Sequence, residues 1–192
     1  MNQNHIVFRA GKRIYLRPLL KEDLQELVVW INDPEITQFL KATYPLSHHH
    51  EEKWYEKVMQ SKGEDVTFVI ALQETHELVG IMGLHKINQL HQRACTGSVL
   101  GKKFWGLGYG TEAKMLVLEY AFNTLNLRKI CSEVYATNPR SKRCLEKCGY
   151  REEGVLKEHV FKNGSFVDVY QMAVFRDSFL KLWAEYKVKF LA

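Results

Sequence analysis

The run Gly101-Lys-Lys-Phe-Trp-Gly-Leu-Gly-Tyr-Gly-Thr-Glu-Ala113 constrains this chain more than any other stretch. Gly106, Gly108 and Gly110 stand on alternate positions, so the backbone can turn there without a Cβ in the way. Before them, Arg93 to Leu100 reads as a strand. After them, Thr111 to Asn126 carries Ala113, Leu116, Val117, Tyr120, Ala121 and Leu125 at helical spacing. A strand must therefore become a helix through a glycine loop, and the following Lys129–Tyr135 run makes the unit a right-handed parallel crossover. Successive N–H groups of such a loop point into one concavity beside the positive end of the helix, a site suited to a pyrophosphate.

Spacing removes two common phosphate loops. A Walker A loop places Lys and Ser/Thr after its second glycine, but Leu107 follows Gly106. The dinucleotide fingerprint, read from Gly106 or Gly108, needs glycine at 111 or 113, where Thr111 and Ala113 stand.

Elsewhere, Ile6 to Arg17 reads as a bent strand or hairpin broken at Gly11-Lys12 and stopped by Pro18. Leu24, Leu27, Val28 and Ile31 predict a helix from about Lys21 to Ile31, ended by Asn32-Asp33-Pro34. Glu35 to Pro45 reads as irregular, and Ser47 caps a helix carrying Trp54, Val58 and Met59. Val66–Leu72 and Leu78–Leu84 read as adjacent antiparallel strands. Asn138, Pro139 and Gly149 punctuate a second loop-bearing helix over 138–149, with Asn138 as its N-cap. Strands over about Tyr150–Phe161 and Phe166–Val174 flank the hairpin turn at Asn163-Gly164. A terminal helix over about 177–190 carries Phe179, Leu180, Trp183 and Tyr186 on one side and leaves a homodimer open.

With 192 residues, 46% of them hydrophobic, the chain can bury one core and is expected to form a single domain over 1–192. It contains no long apolar run, and Met1-Asn-Gln-Asn-His5 lacks the charged start and apolar core of a signal peptide. A cytoplasmic protein without membrane partners is expected. Cys95, Cys131, Cys144 and Cys148 form no CxxC pair and read as free thiols. The net charge of +5 is too small an excess to point to nucleic acid. His48-His49-His50 fan around a helix instead of converging at i, i+4, so no metal site is assigned.

The glycine loop, the capped helix Asn138-Pro-Arg-Ser-Lys-Arg-Cys-Leu-Glu-Lys-Cys-Gly-Tyr150, and Glu153-Gly154-x-x-Lys157 through Asn163-Gly164 to Asp168 recur in this order in one family. Together with Tyr15-Leu-Arg-Pro-Leu19 and Trp30-x-Asn32-Asp33-Pro34, they resemble the GCN5-related N-acetyltransferases over nearly the whole chain, in particular the Rim-type branch acting on ribosomal-protein N-termini. The resemblance implies an α/β (α+β) fold: one mixed, mostly antiparallel sheet with a parallel split in its middle and helices on both faces. It also implies acetyl-CoA as co-substrate, held at the split. Val99 and Leu100 would meet the pantetheine arm. Trp105, Gly106, Gly108, Tyr109, Gly110 and Thr111 would hold the pyrophosphate. Asn138 and Ser141 would line the thiol end, with Lys103, Arg140 and Arg143 near the adenosine phosphates.

Three positions depart from the family's pattern. Trp105 stands where Gln or Arg is frequent, Leu145 where many relatives carry a Tyr that protonates the thiolate, and Cys95 where many carry a Glu. Ser141 is the replacement chosen for the missing hydroxyl, aided by its helix N-terminus; capping is the alternative. Because neighbouring strand residues face opposite ways, at most one of Glu158 and His159 points at the site; Glu158 is ranked first as general base, with deprotonation by solvent left open. The expected reaction is direct acetyl transfer to a primary amine in a ternary complex, with a protein or peptide N-terminus as acceptor. Amino sugars, aminoglycosides and polyamines are the small-molecule alternative. Scattered acids at Glu35, Glu51, Glu52 and Glu56 make polyamine the weaker member of that group. A non-catalytic acyl-CoA-binding module is the second alternative.

Overall fold

The structure, a computed structural model, describes residues 6–61 and 63–190. The N-terminal pentapeptide read above for a leader lies outside the described residues. In chain order the strands are β1 Arg9–Ala10, β2 Ile14–Pro18, β3 Val66–Leu72, β4 Leu78–Asn88, β5 Arg93–Leu100, β6 Lys129–Tyr135, β7 Arg151–Lys162 and β8 Ser165–Phe175. The α-helices are α1 Leu24–Trp30, α2 Pro34–Thr37, α3 His48–Gln60, α4 Tyr109–Glu119, α5 Pro139–Lys147 and α6 Arg176–Phe190. The strands form one eight-stranded sheet in the order β1-β2-β3-β4-β5-β6-β8-β7. Every neighbouring pair is antiparallel except β5 and β6, which are parallel.

Alternation along the strands divides the apolar residues between two layers. Phe68 and Ile70 of β3 join the cluster that holds Met115 and Leu118 of α4, Leu145 of α5 and Phe179 and Trp183 of α6. Val69, between them, turns to the other face and joins Leu24, Leu27 and Trp30 of α1, Ile36 of α2 and Trp54 of α3. This second cluster draws on β3, β4 and β5 but takes nothing from β6, β7 or β8. On that face those strands carry a separate buried cluster of Tyr135, Val167 and Val169, while Cys131 is half-buried and Glu133 exposed nearer the middle of the sheet. A bidentate pair, Arg17 to Asp23 at 2.6 and 2.8 Å, fixes the entry to α1. The Asp23 carboxylate raises the Arg17 guanidinium further above its ordinary range.

Local differences from the sequence reading have physical causes. Pro34 stops α1 and also starts α2 as its first residue, with Asp33 capping it through Glu35 N at 2.8 Å. The long helix is α-helical only to Glu119, and Tyr120–Thr124 forms a π turn that Asn126 ends with φ +53°. The hairpin turn holds, with Asn163 at φ +50° and Gly164 at φ +83°, as a type I′ turn requires. His50 accepts from the backbone of Ser47 at 3.1 Å, so one of the three consecutive histidines caps its own helix. Among the described residues no cluster could hold a metal ion, and no helix is long and apolar enough to cross a membrane.

Candidate active site

The site is a fork in the sheet. Strands β5 and β6 pair only over Arg93–Lys129, Ala94–Ile130 and Cys95–Cys131, and from there they part. Side chains close the apex: Ser132 Oγ donates to Thr96 O at 3.1 Å, while Thr96 Oγ1 and the buried Tyr150 hydroxyl share a bond of 2.9 Å. Beyond the apex, Val99 and Leu100 run on along one prong with β6 no longer beside them, so their β6-facing side has lost its ladder partner.

The prong of β5 leads through a 3-10 turn, Lys102–Phe104, into the glycine loop. Gly106 (φ +78°) and Gly108 (φ +87°) take left-handed conformations that a side chain would strain. Gly108 is the N-cap of α4, so this helix starts at Tyr109, two residues earlier than the pattern suggested. The N–H groups of Gly106, Leu107, Gly108, Tyr109 and Gly110 find no acceptor among the described residues. These five consecutive donors, at the positive end of an eleven-residue helix, form the anion cradle. Gly110 differs from its neighbours: it is helical, and an added Cβ would meet only Leu100 and Cys144 at 3.5 and 3.9 Å.

A buried carboxylate holds the cradle in place. Glu112, on the first turns of α4, accepts from Lys12 N at 2.7 Å, Arg13 N at 2.8 Å and Arg13 Nε at 3.0 Å. Arg13 in turn donates to Leu107 O at 2.8 Å and lies 4.6 Å from the Tyr109 ring centre. The β1–β2 hairpin is thereby clamped to the loop.

The second helix approaches from the other prong. Asn138 Oδ1 accepts from Ser141 N at 3.0 Å, as an N-cap does, and Pro139 occupies the first turn. Arg140 bridges to the glycine loop, its guanidinium 3.6 Å from the Trp105 ring centre and 5.6 Å from that of Phe39. Burial without a carboxylate lowers its pKa from the ordinary arginine value. Trp105 itself donates from Nε1 to Leu100 O at 2.9 Å. Thr111 Oγ1 donates to Cys144 Sγ at 3.5 Å, fastening α4 to α5.

A family model for the acetyltransferase (GNAT) domain matches residues 13–151, which take in Arg13 of the clamp, the fork, the cradle and α5. The chain belongs to this acetyltransferase family. It is 29% identical over 168 residues to an uncharacterized N-acetyltransferase, p20, of Bacillus licheniformis, covering 86% of this chain and 94% of that protein. It is also 29% identical over 170 residues to the spermidine N(1)-acetyltransferase of Vibrio cholerae, covering 88% of this chain and 97% of that protein. The crystal structure of the Vibrio cholerae spermidine N-acetyltransferase in complex with CoA and spermine superposes with a TM-score of 0.82 at 28% identity. It covers 88% of this chain and 98% of that one. The expected mixed sheet with a central parallel split is thus the observed fold, and the chain is an acetyl-CoA-dependent N-acetyltransferase.

Within this GNAT fold, Val99, Leu100, Trp105, Gly106, Gly108, Tyr109, Gly110, Asn138, Arg140 and Ser141 lie along the fork and its two helix N-termini. Of the other sequence-selected residues, Lys103 pairs with Glu77, the Thr111 N–H donates to Gly108 O at 3.1 Å inside α4, and Arg143 is exposed with no partner among the described residues. Leu145 is 2% exposed and packed in the core, so that position offers no hydroxyl. Glu158 sits on the edge strand β7, separated from the fork by β8. The register shifts between Leu156 and Val160, and Glu158 adopts φ +48° with its N–H on Asp168 Oδ1 at 2.8 Å. This bulge breaks the alternation on which the choice between Glu158 and His159 rested.

The structure adds Glu133. Cys131, Glu133 and Tyr135 alternate onto one face of β6; Tyr135 is buried with Val167 and Val169, and Glu133 is the first residue on that face past the apex and is exposed. Its side chain is 46% exposed and bonds Lys41 from the α2–α3 loop at 3.0 Å. The Glu133 carboxylate raises the Lys41 ammonium above its ordinary range. Lys162 Nζ holds the same loop through Ala42 O at 3.0 Å. The signal was available in the sequence: an acid in the middle of a central strand, where apolar residues are the rule, needs an open face.

Proposed function

We propose that this acetyltransferase acetylates a small primary amine, with Glu133 as the proton acceptor. The observation that carries the acceptor class is the likeness, over nearly their whole length, to enzymes named for spermidine. This replaces the protein N-terminus favoured from the sequence and raises the polyamines above the place given them there. In the proposed complex, the five free amides from Gly106 to Gly110 hold the pyrophosphate and Arg140 adds positive charge. The thioester then lies toward the fork apex, with the acceptor entering over β6 at the exposed Glu133.

An alkyl ammonium with a pKa of about 10 must lose a proton before it can attack. Glu133 takes that proton directly or through one water. The C–N bond forms as the C–S bond breaks, and the departing thiolate is stabilised by the N-terminus of α5. Ser141, in the first turn of α5, supplies a hydroxyl as proton donor in place of the one that Leu145 lacks. The acids near the cleft already carry lysines, Glu133 with Lys41 and Glu35 with Lys102. An incoming cation would displace Lys41, and exposed pairs of this kind are weak enough to yield.

A competition assay tests the acceptor. Spermidine, spermine, glucosamine and a short peptide with a free N-terminus are mixed at equal concentration with acetyl-CoA, and products are identified by mass. Acetylated small amine must dominate. Preferential acetylation of the peptide returns the acceptor to a protein N-terminus.

A further inference from the structure

The fork apex carries two thiols that the acetyl-transfer chemistry does not use. Cys95 and Cys131 are direct partners in the last rung of the β5–β6 ladder, so both side chains leave the same face of the sheet. Adjacent strands lie about 4.8 Å apart, inside the Cα separation of about 4.4–6.8 Å that a disulfide spans. Past this rung the strands diverge, so no deeper rung is strained by a bridge here. Both residues are half-buried, on the face that α1–α3 leave uncovered. The neighbouring Cys131 thiol, with Lys86 and Arg93, favours the Cys95 thiolate against burial and Glu133. Together these contacts lower Cys95 to about 6 and raise Cys131. An accessible thiolate beside a resolving thiol is the arrangement of redox-sensing cysteine pairs. In the other pair, beneath Thr111 and Gly110, Cys144 is half-buried but Cys148 is fully buried, which leaves no accessible resolving thiol there.

We propose that Cys95 and Cys131 form a reversible disulfide across the fork apex when the protein meets a peroxide, and that this bridge arrests acetyl transfer. In the first step the Cys95 thiolate attacks the peroxide. An S–O bond forms, the O–O bond breaks, and the leaving hydroxide takes a proton to become water. In the second, Cys131 gives up its proton and its sulfur attacks Cys95 Sγ. The S–S bond forms, the S–O bond breaks, and a second water leaves. Each sulfur loses one electron and the peroxide gains two. The bridge ties together the strands beside the place assigned to the thioester.

The test uses the full chain treated with hydrogen peroxide, blocked with N-ethylmaleimide, digested and mapped by mass spectrometry. The expected result is a linked pair of peptides carrying Cys95 and Cys131, a loss of two of the four free thiols, and recovery of both with dithiothreitol. Cys131→Ser should leave Cys95 as a sulfenic acid that dimedone traps, whereas Cys95→Ser should leave Cys131 unoxidised. Four free thiols after treatment, a bridge at Cys144–Cys148, or bridges between chains would overturn the assignment. Activity is read on the same samples. Loss of turnover that dithiothreitol reverses supports the control, and full turnover in mapped, bridged protein refutes it. The peptide map stands independently of the acetyl-transfer reading, so failure of one is distinguishable from failure of the other.

Discussion

Removing the Glu112 carboxylate should damage the fold and the cradle together. In Glu112→Ala, the short bonds from Lys12 N and Arg13 N lose their acceptor, as does Arg13 Nε at 3.0 Å. Hydrogen bonds to a charged group contribute about 1.5–3 kcal/mol each, so the two backbone bonds alone account for roughly 3–6 kcal/mol. Relief from burying a carboxylate, together with water entering the loop, offsets part of this and leaves about 3 kcal/mol. For a chain of this length the loss should lower Tm by about 10 °C. Glu112→Gln keeps one acceptor oxygen and should lose about half as much. Because Arg13 also holds Leu107 O, acetyl-CoA affinity should fall by about tenfold, or about 1.4 kcal/mol. Scanning calorimetry and titration calorimetry on both variants measure the two effects. A Tm shift below about 2 °C for Glu112→Ala would show that the hairpin clamp contributes little.

Further substitutions separate the parts of the site. Gly108→Ala should weaken acetyl-CoA binding, because φ +87° strains any side chain and its Cβ would lie 3.2 Å from Arg13 Nη2, whereas Gly110→Ala should bind normally; titration calorimetry compares them. Glu133→Gln should lower kcat by about a hundredfold or more if it carries the proton, with most of the rate recovered at high pH where the amine is already neutral. Lys41→Met should lower the KM for the amine by freeing the Glu133 carboxylate, and initial rates at saturating acetyl-CoA measure this. Burial lowers the pKa of Lys114, which is 3% exposed. Its folded value then lies below the unfolded value of about 10.4, so the unfolded chain binds the extra proton in that window and stability rises with pH across it. Lys114→Met should therefore be more stable than the parent at neutral pH, with the gain shrinking toward pH 10, in urea melts at both pH values.

Much of the scaffold was legible because local chemistry and tertiary contacts agree. Pro139 after Asn138 and the Asn163-Gly164 turn admit few alternatives, and the stripe of Ala113, Leu116 and Val117 is buried in α4, although Glu112 to Leu118 are all buried there and the helix is covered on more than that side. The cradle was legible for the same reason, since left-handed backbone at Gly106 and Gly108 needs glycine. Side-chain direction was less accessible. Thr111 looked like a further N–H donor from its place after the glycines, but α4 starts two residues earlier than the pattern suggested, and the Thr111 N–H is spent on Gly108 O at 3.1 Å. Lys103 looked like a phosphate cation until Glu77 appeared beside it. The facing of Glu158 and His159 depended on strict alternation, which a bulge cancelled, and the acid at Glu133 marked an uncovered point in a central strand whose place beside the fork only the β5–β6 pairing shows.

Hydrogen exchange with and without saturating acetyl-CoA tests the fork directly. Cofactor held at the fork should bring new protection at the amides of Gly106 to Gly110 and at the first turn of α5, with smaller changes along β5 from Val99 to Leu100. Protection confined to other segments, or none at saturating ligand, would contradict it.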